Sequence, residues 1–135
     1  MAAAALRPGF SDPSTQSARC FRVLLNAMSR PGLVQMTAAD LPSAGRLNPA
    51  SVMTALTLCD HESPVWLDEA TGEEAADYIR FHCGAPLTAD TSAATFGFFV
   101  TCPDRHVLNS FAIGSPDYPD ASATLIIQVE ALSNS

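Results

Sequence analysis

The run Ala123-Thr124-Leu125-Ile126-Ile127-Gln128-Val129 constrains the fold more than any other stretch of this chain. It is β-branched and almost wholly apolar, without the alternation of a strand that shows one face to water. It therefore reads as a strand buried on both faces, the kind found in parallel sheets covered by helices. The preceding chain supplies the helices. Asp12-Pro13 and Asn48-Pro49 each place an N-cap residue before a proline at the first helical position. After the first, Ala18, Phe21, Leu24, Leu25 and Met28 recur at helical spacing and define one apolar stripe, with Arg19 and Arg22 off it, until Pro31-Gly32 stops the helix. After the second, Val52, Leu56 and Cys59 line one face until Asp60–Pro64. Thr71 is the expected cap of a third helix, with Glu73 and Glu74 in its first turn and a stop near Cys83-Gly84. A short helix is expected within Pro103–Phe111.

Leu33–Met36, Val65–Leu67 and Ala94–Val100 read as the remaining strands. Strands alternating with helices predict an α/β chain, a layered α/β/α sandwich on a mixed, partly parallel sheet. One domain is expected over residues 1–135, with residues 1–10 as a frayed end.

Composition narrows the function. The residues are 47% hydrophobic and only 16% charged, a ratio suited to a chain that hides much of its surface, an interface included. The formal net charge is −7, which disfavours nucleic acid and anionic membranes as partners. All seven basic residues are Arg, so Schiff-base chemistry on a lysine is excluded. Cys20, Cys59, Cys83 and Cys102 form no CxxC pair, and the Ala-rich start lacks the basic and apolar regions of a signal peptide. Reduced thiols in a cytoplasmic protein follow. No apolar stretch approaches the roughly 18 residues of a membrane span.

Four constellations invite chemistry, and each has a plainer reading. Asp60-His61-Glu62 puts three titratable groups in a row, but a solvated helix end explains them better. Arg80-Phe81-His82-Cys83-Gly84 offers Arg and His for a phosphate or phosphonate, yet a helix C-terminus repels anions, which favours capping or a partner contact. Arg30, before Pro31-Gly32, sits at a turn from which it can reach a carboxylate across an interface. His61, His82 and His106 are too widely spaced for a compact zinc motif, so no metal is expected. Trp66, Phe96, Phe98 and Phe99 read as core rather than a stacking platform. Arg22, Arg30, Asp60, Arg80 and His82 remain as ligand or interface candidates, with no self-sufficient catalytic motif and the catalytic residues unknown.

Four stretches, taken in order, carry a family resemblance. They are Phe21–Gly32 (FRVLLNAMSRPG), Ser63–Leu67 (SPVWL), Ile79–His82 with Gly84–Leu87, and Ser122–Val129 (SATLIIQV). The chain resembles the H subunit of the bacterial carbon–phosphorus lyase system for phosphonate breakdown. The resemblance implies a fold like the core of pyridoxal-phosphate-dependent transferases without that cofactor, in agreement with the missing lysine. It also implies a homodimer that joins the G, I and J subunits. That complex transfers a phosphonate to the ribose of a nucleoside triphosphate, as α-D-ribose 1-methylphosphonate 5-triphosphate synthase. The alternative is a separate enzyme or binder acting on a phosphorylated nucleotide or phosphonate through Arg30, Arg80 and His82. Family chains continue past the ATLIIQV-like strand, so a C-terminally truncated or short form is expected, with an exposed strand edge.

Overall fold

A computed structural model of the chain describes residues 7–37 and 39–133. Helix α1 spans Pro13–Ser29, α2 Pro49–Leu58, α3 Glu73–Cys83 and the single turn α4 Arg105–Leu108. Strands β1 (Val65–Leu67), β2 (Phe96–Phe99) and β3 (Thr124–Ile127) form one sheet in the order β1-β2-β3.

Both strand pairs are parallel, with Val65 opposite Phe96 and Phe96 opposite Thr124. Each crossover carries a helix, as parallel neighbours require. The described sheet is thus wholly parallel, not the mixed one expected. Leu33–Met36, expected as a strand, is irregular. It follows a Gly32 turn at φ +93°, the Leu33 amide donating to the Arg30 carbonyl at 3.1 Å, and joins none of the described strands.

Alternation along the strands sorts side chains to two sides. Val65, Leu67, Phe96, Phe98 and Ile126 belong to the main core with Cys20, Leu47, Val52, Tyr78 and Ile79 from the helical side. Trp66, Phe99 and Leu125 face a smaller cluster with Ala94 and Phe111. The Trp66 ring meets Phe99 at 5.0 Å and Phe111 edge-on at 5.4 Å, so these aromatics are core, as expected. Gly97 lies in the second cluster because a Cβ there would stand 2.8 Å from Phe111 Cε1 and 3.0 Å from Leu125 Cδ2.

The helix starts obey local chemistry. Asn48 accepts from the Ser51 amide at 2.9 Å. Asp12 occupies the first cap position without accepting from a helix amide through its side chain; instead its own amide donates to Gln16 Oε1 at 2.8 Å. The cap of α3 is Gly72, not Thr71. Thr71 ends a 3₁₀ turn, its hydroxyl donating to the Asp68 carbonyl at 2.7 Å. Gly84 closes α3 in the left-handed region, φ +66°.

Three expectations change in packing. β3 is not buried on both faces: Thr124, Leu125 and Ile126 are half-buried and Ile127 is exposed. It is the last strand of the described sheet, whereas the outer side of β1 is covered by Pro86–Thr88 through Val65 N–H to Pro86 O and Thr88 N–H to Val65 O, each 2.9 Å. The apolar stripe of α1 splits. Cys20, Val23 and Leu24 meet the core, while Phe21, Leu25 and Met28 face water. Finally, residues 7–10, expected to fray, lie along α3: Tyr78 Oη donates to the Pro8 carbonyl at 2.9 Å and Phe10 packs on the core. Residues 1–6 fall outside the described residues.

Candidate functional site

Ligands of parallel α/β sheets bind beyond the carboxyl ends of the strands, so that rim is the first place to look. Three segments build it: Asp68–Gly72 after β1, Val100–Asp104 after β2 and Gln128–Glu130 after β3. Several of their polar side chains hold the scaffold. Asp68 accepts from the Ala70 amide through Oδ1 at 3.3 Å and from Thr101 Oγ1 through Oδ2 at 3.0 Å, which ties the first loop to the second. Asp104 Oδ1 caps α4 by accepting from the Val107 amide at 2.9 Å. Gln128 accepts from the Asn48 amide at 2.8 Å and donates to the Arg46 carbonyl at 3.1 Å, joining β3 to the start of α2.

Hollows of about 550 and 320 Å³ lie along this rim, and another of about 600 Å³ opens beside β1. Asp68, Glu69 and Glu73 line the last of these against a single cation, Arg80. That guanidinium is in turn paired with Asp77, about one turn back on α3, at 3.1 Å. Carboxylates in excess over cations repel phosphate and phosphonate.

The candidate residues do not converge. Arg22 lies on the exposed surface of α1 and Arg30 caps its C-terminus, eight positions on, or about 12 Å along the axis. Asp60 forms the turn after α2. Its carboxylate accepts from the Glu62 amide and the Ser63 hydroxyl, and these bonds hold it below the usual carboxylate range. His61 and Glu62 lie 3.9 Å apart in open solvent, a pair worth little. Arg80 borders the acidic hollow. His82 Nε2 lies 2.8 Å from the Arg7 carbonyl oxygen; since a carbonyl only accepts, that nitrogen carries the hydrogen. Its ring stacks near Tyr78 at 4.4 Å, and Gly9 fits against it because a Cβ would stand 2.9 Å from Nδ1. His82 thus pins the first described residues to α3.

What the surface does present is apolar. Phe21 is 49%, Leu25 56% and Met28 72% exposed along α1, and Met36 beyond it is 81% exposed. Beside them a hollow of about 330 Å³ is lined by Val23, Leu24, Ala27, Leu33, Met36 and Met53. Contiguous exposure of this kind marks an interaction surface. Sequence reasoning saw the stripe but not its direction.

The described residues thus form a parallel α/β scaffold with scaffold bonds along its rim and a bare apolar face on α1. The chain belongs to the family described as bacterial phosphonate metabolism protein (PhnH), whose pattern it matches over residues 8–135. It is 40% identical over 125 residues to the α-D-ribose 1-methylphosphonate 5-triphosphate synthase subunit PhnH of Rhizobium meliloti (strain 1021), an alignment covering 91% of this chain. The chain spans 62% of that relative's length. Among the described residues, no helix is long and apolar enough to cross a membrane.

Proposed function

We propose that this chain is an accessory subunit of α-D-ribose 1-methylphosphonate 5-triphosphate synthase, acting in phosphonate catabolism. The exposed apolar face of α1 carries this reading, beside the family membership. The subunit supports transfer of a phosphonate to the ribose of a nucleoside triphosphate while the reacting anions sit elsewhere in the complex. Its own surface argues for that division. The net charge is −7, and the hollow beside β1 is lined by more carboxylates than cations.

In this reading the chain is a single cytoplasmic domain. It forms a homodimer and joins the G, I and J subunits, whose joint activity combines transferase and lyase steps. Its layered fold is that of a pyridoxal-phosphate-dependent transferase core that has no lysine to hold the cofactor. Arg22 flanks the partner-facing side, Arg30 lies at the C-terminal end of α1, Asp60 shapes a turn, and Arg80 and His82 support the scaffold.

The test is reconstitution. Co-expression with the G, I and J subunits should yield a complex that contains this chain and forms the ribose 1-phosphonate product, and activity should fall when the chain is omitted. A chain that stays apart from those subunits at micromolar concentration sinks the reading. Calorimetric heat from a nucleoside triphosphate added to the chain alone, abolished by Arg80→Ala, would do so as well.

A further inference from the structure

The circumference of α1 divides into three. Residues turn by about 100° each along a helix. Cys20, Val23 and Leu24 lie toward the core. Arg19, Arg22, Asn26 and Arg30 share the polar side. Ala18, Phe21, Leu25 and Met28 form a third line, exposed throughout, with spacings of three, four and three. That alternation is the seam of a helix that packs against another helix, knobs into holes. The line is about 15 Å long, three turns of contact. Surface-lying membrane helices need a wide apolar face, and here the other apolar side of α1 is already spent on the core.

Charge selects the kind of partner. No acidic residue occurs between Asp12 and Asp40, whereas Arg19, Arg22 and Arg30 all do. Arg22 directly follows Phe21 and flanks the seam at the position where paired helices place their charge contacts. The remainder of the chain is strongly acidic. A second copy packed about a two-fold axis would set this acid-free surface against itself, guanidinium toward guanidinium.

Resting on the subunit reading above, we propose that the Ala18–Phe21–Leu25–Met28 seam docks a helix of a different subunit, one whose apolar ridge is flanked by carboxylates. The apolar side chains supply residence time, and Arg22 supplies orientation and salt-sensitive recognition.

The probe is the purified assembly of G, I and J subunits, titrated with the full chain. Phe21→Ala with Leu25→Ala should weaken binding at least 30-fold, the scale of a central hot spot. Arg22→Glu should weaken it about 10-fold at low salt, and the difference should vanish in about 1 M salt, where the Debye length is roughly 3 Å. Tyr118→Ala, an equally exposed apolar site elsewhere, should bind as the parent does. Far-UV circular dichroism and the unfolding midpoint check each variant's fold. Arg22→Glu decides the matter alone should the apolar double variant unfold.

If the parent chain binds and the seam variants bind equally well, the docking surface is wrong and the subunit reading stands. If the parent chain itself fails to bind, both fall. Self-association or sedimentation with phosphatidylserine vesicles, lost in Leu25→Asp, would give the seam to a second copy or to a membrane and overturn the proposal.

Discussion

Cys83 ends α3 with its thiol donating to the Ala55 carbonyl at 3.4 Å. Burial pushes that thiol from 9.0 up to about 11. Cys59 moves the same way, through burial first, then the nearby Cys83 and Asp60. A thiol that holds its proton more tightly when folded stabilises the fold fully below its unfolded value. The contribution is lost as pH climbs through the folded one. Stability read from urea unfolding should therefore fall between pH 9 and 11, by on the order of 2 kcal/mol for Cys83. In Cys83→Ala the decline should be shallower. An equal slope in that variant would assign the loss to other groups, Cys59 first and then Tyr78, both raised by burial.

At the scale of elements, Gly97 is where β2, β3 and the segment after α4 meet. Alanine there would press its methyl on the Phe111 and Leu125 side chains. Gly97→Ala should cost about 1–3 kcal/mol, read from denaturant unfolding, with helical content unchanged. Parent-like stability would mean that Phe111 yields freely. The same scale shows what could be read from residues alone. Asn48-Pro49 announced α2 because cap and proline act locally, and Gly84 marked the end of α3 for the same reason. The outward turn of Phe21, Leu25 and Met28 was illegible. α1 is apolar over more than half its circumference, so only its docking on α2 decides which part is buried. β3 has the composition of a doubly buried central strand, while its place at the end of the described sheet depends on strand order, which composition does not encode. The candidate site fared similarly. Arg80 and His82 are polar residues on one short helix, but one borders a hollow and the other clasps Arg7, a separation set by helical phase and by the return of residues 7–10.

Across the whole molecule, the large core lies on the helical side of the sheet and the smaller cluster on the other. Among the links between the layers at the carboxyl end is one amide side chain. Gln128 holds both Arg46 and Asn48, and Asn48 caps α2, which lies against α1. Force applied to the last strand is therefore felt at the first turn of a helix eighty residues away in sequence. Hydrogen exchange should report this as shared behaviour: the Asn48 amide should open in step with those of residues 124–128, and Gln128→Ala should speed both together. Independent exchange at the two places would mean that the layers breathe separately. If they do not, any protein gripping α1 also reaches, through two hydrogen bonds, the outermost strand of the described sheet.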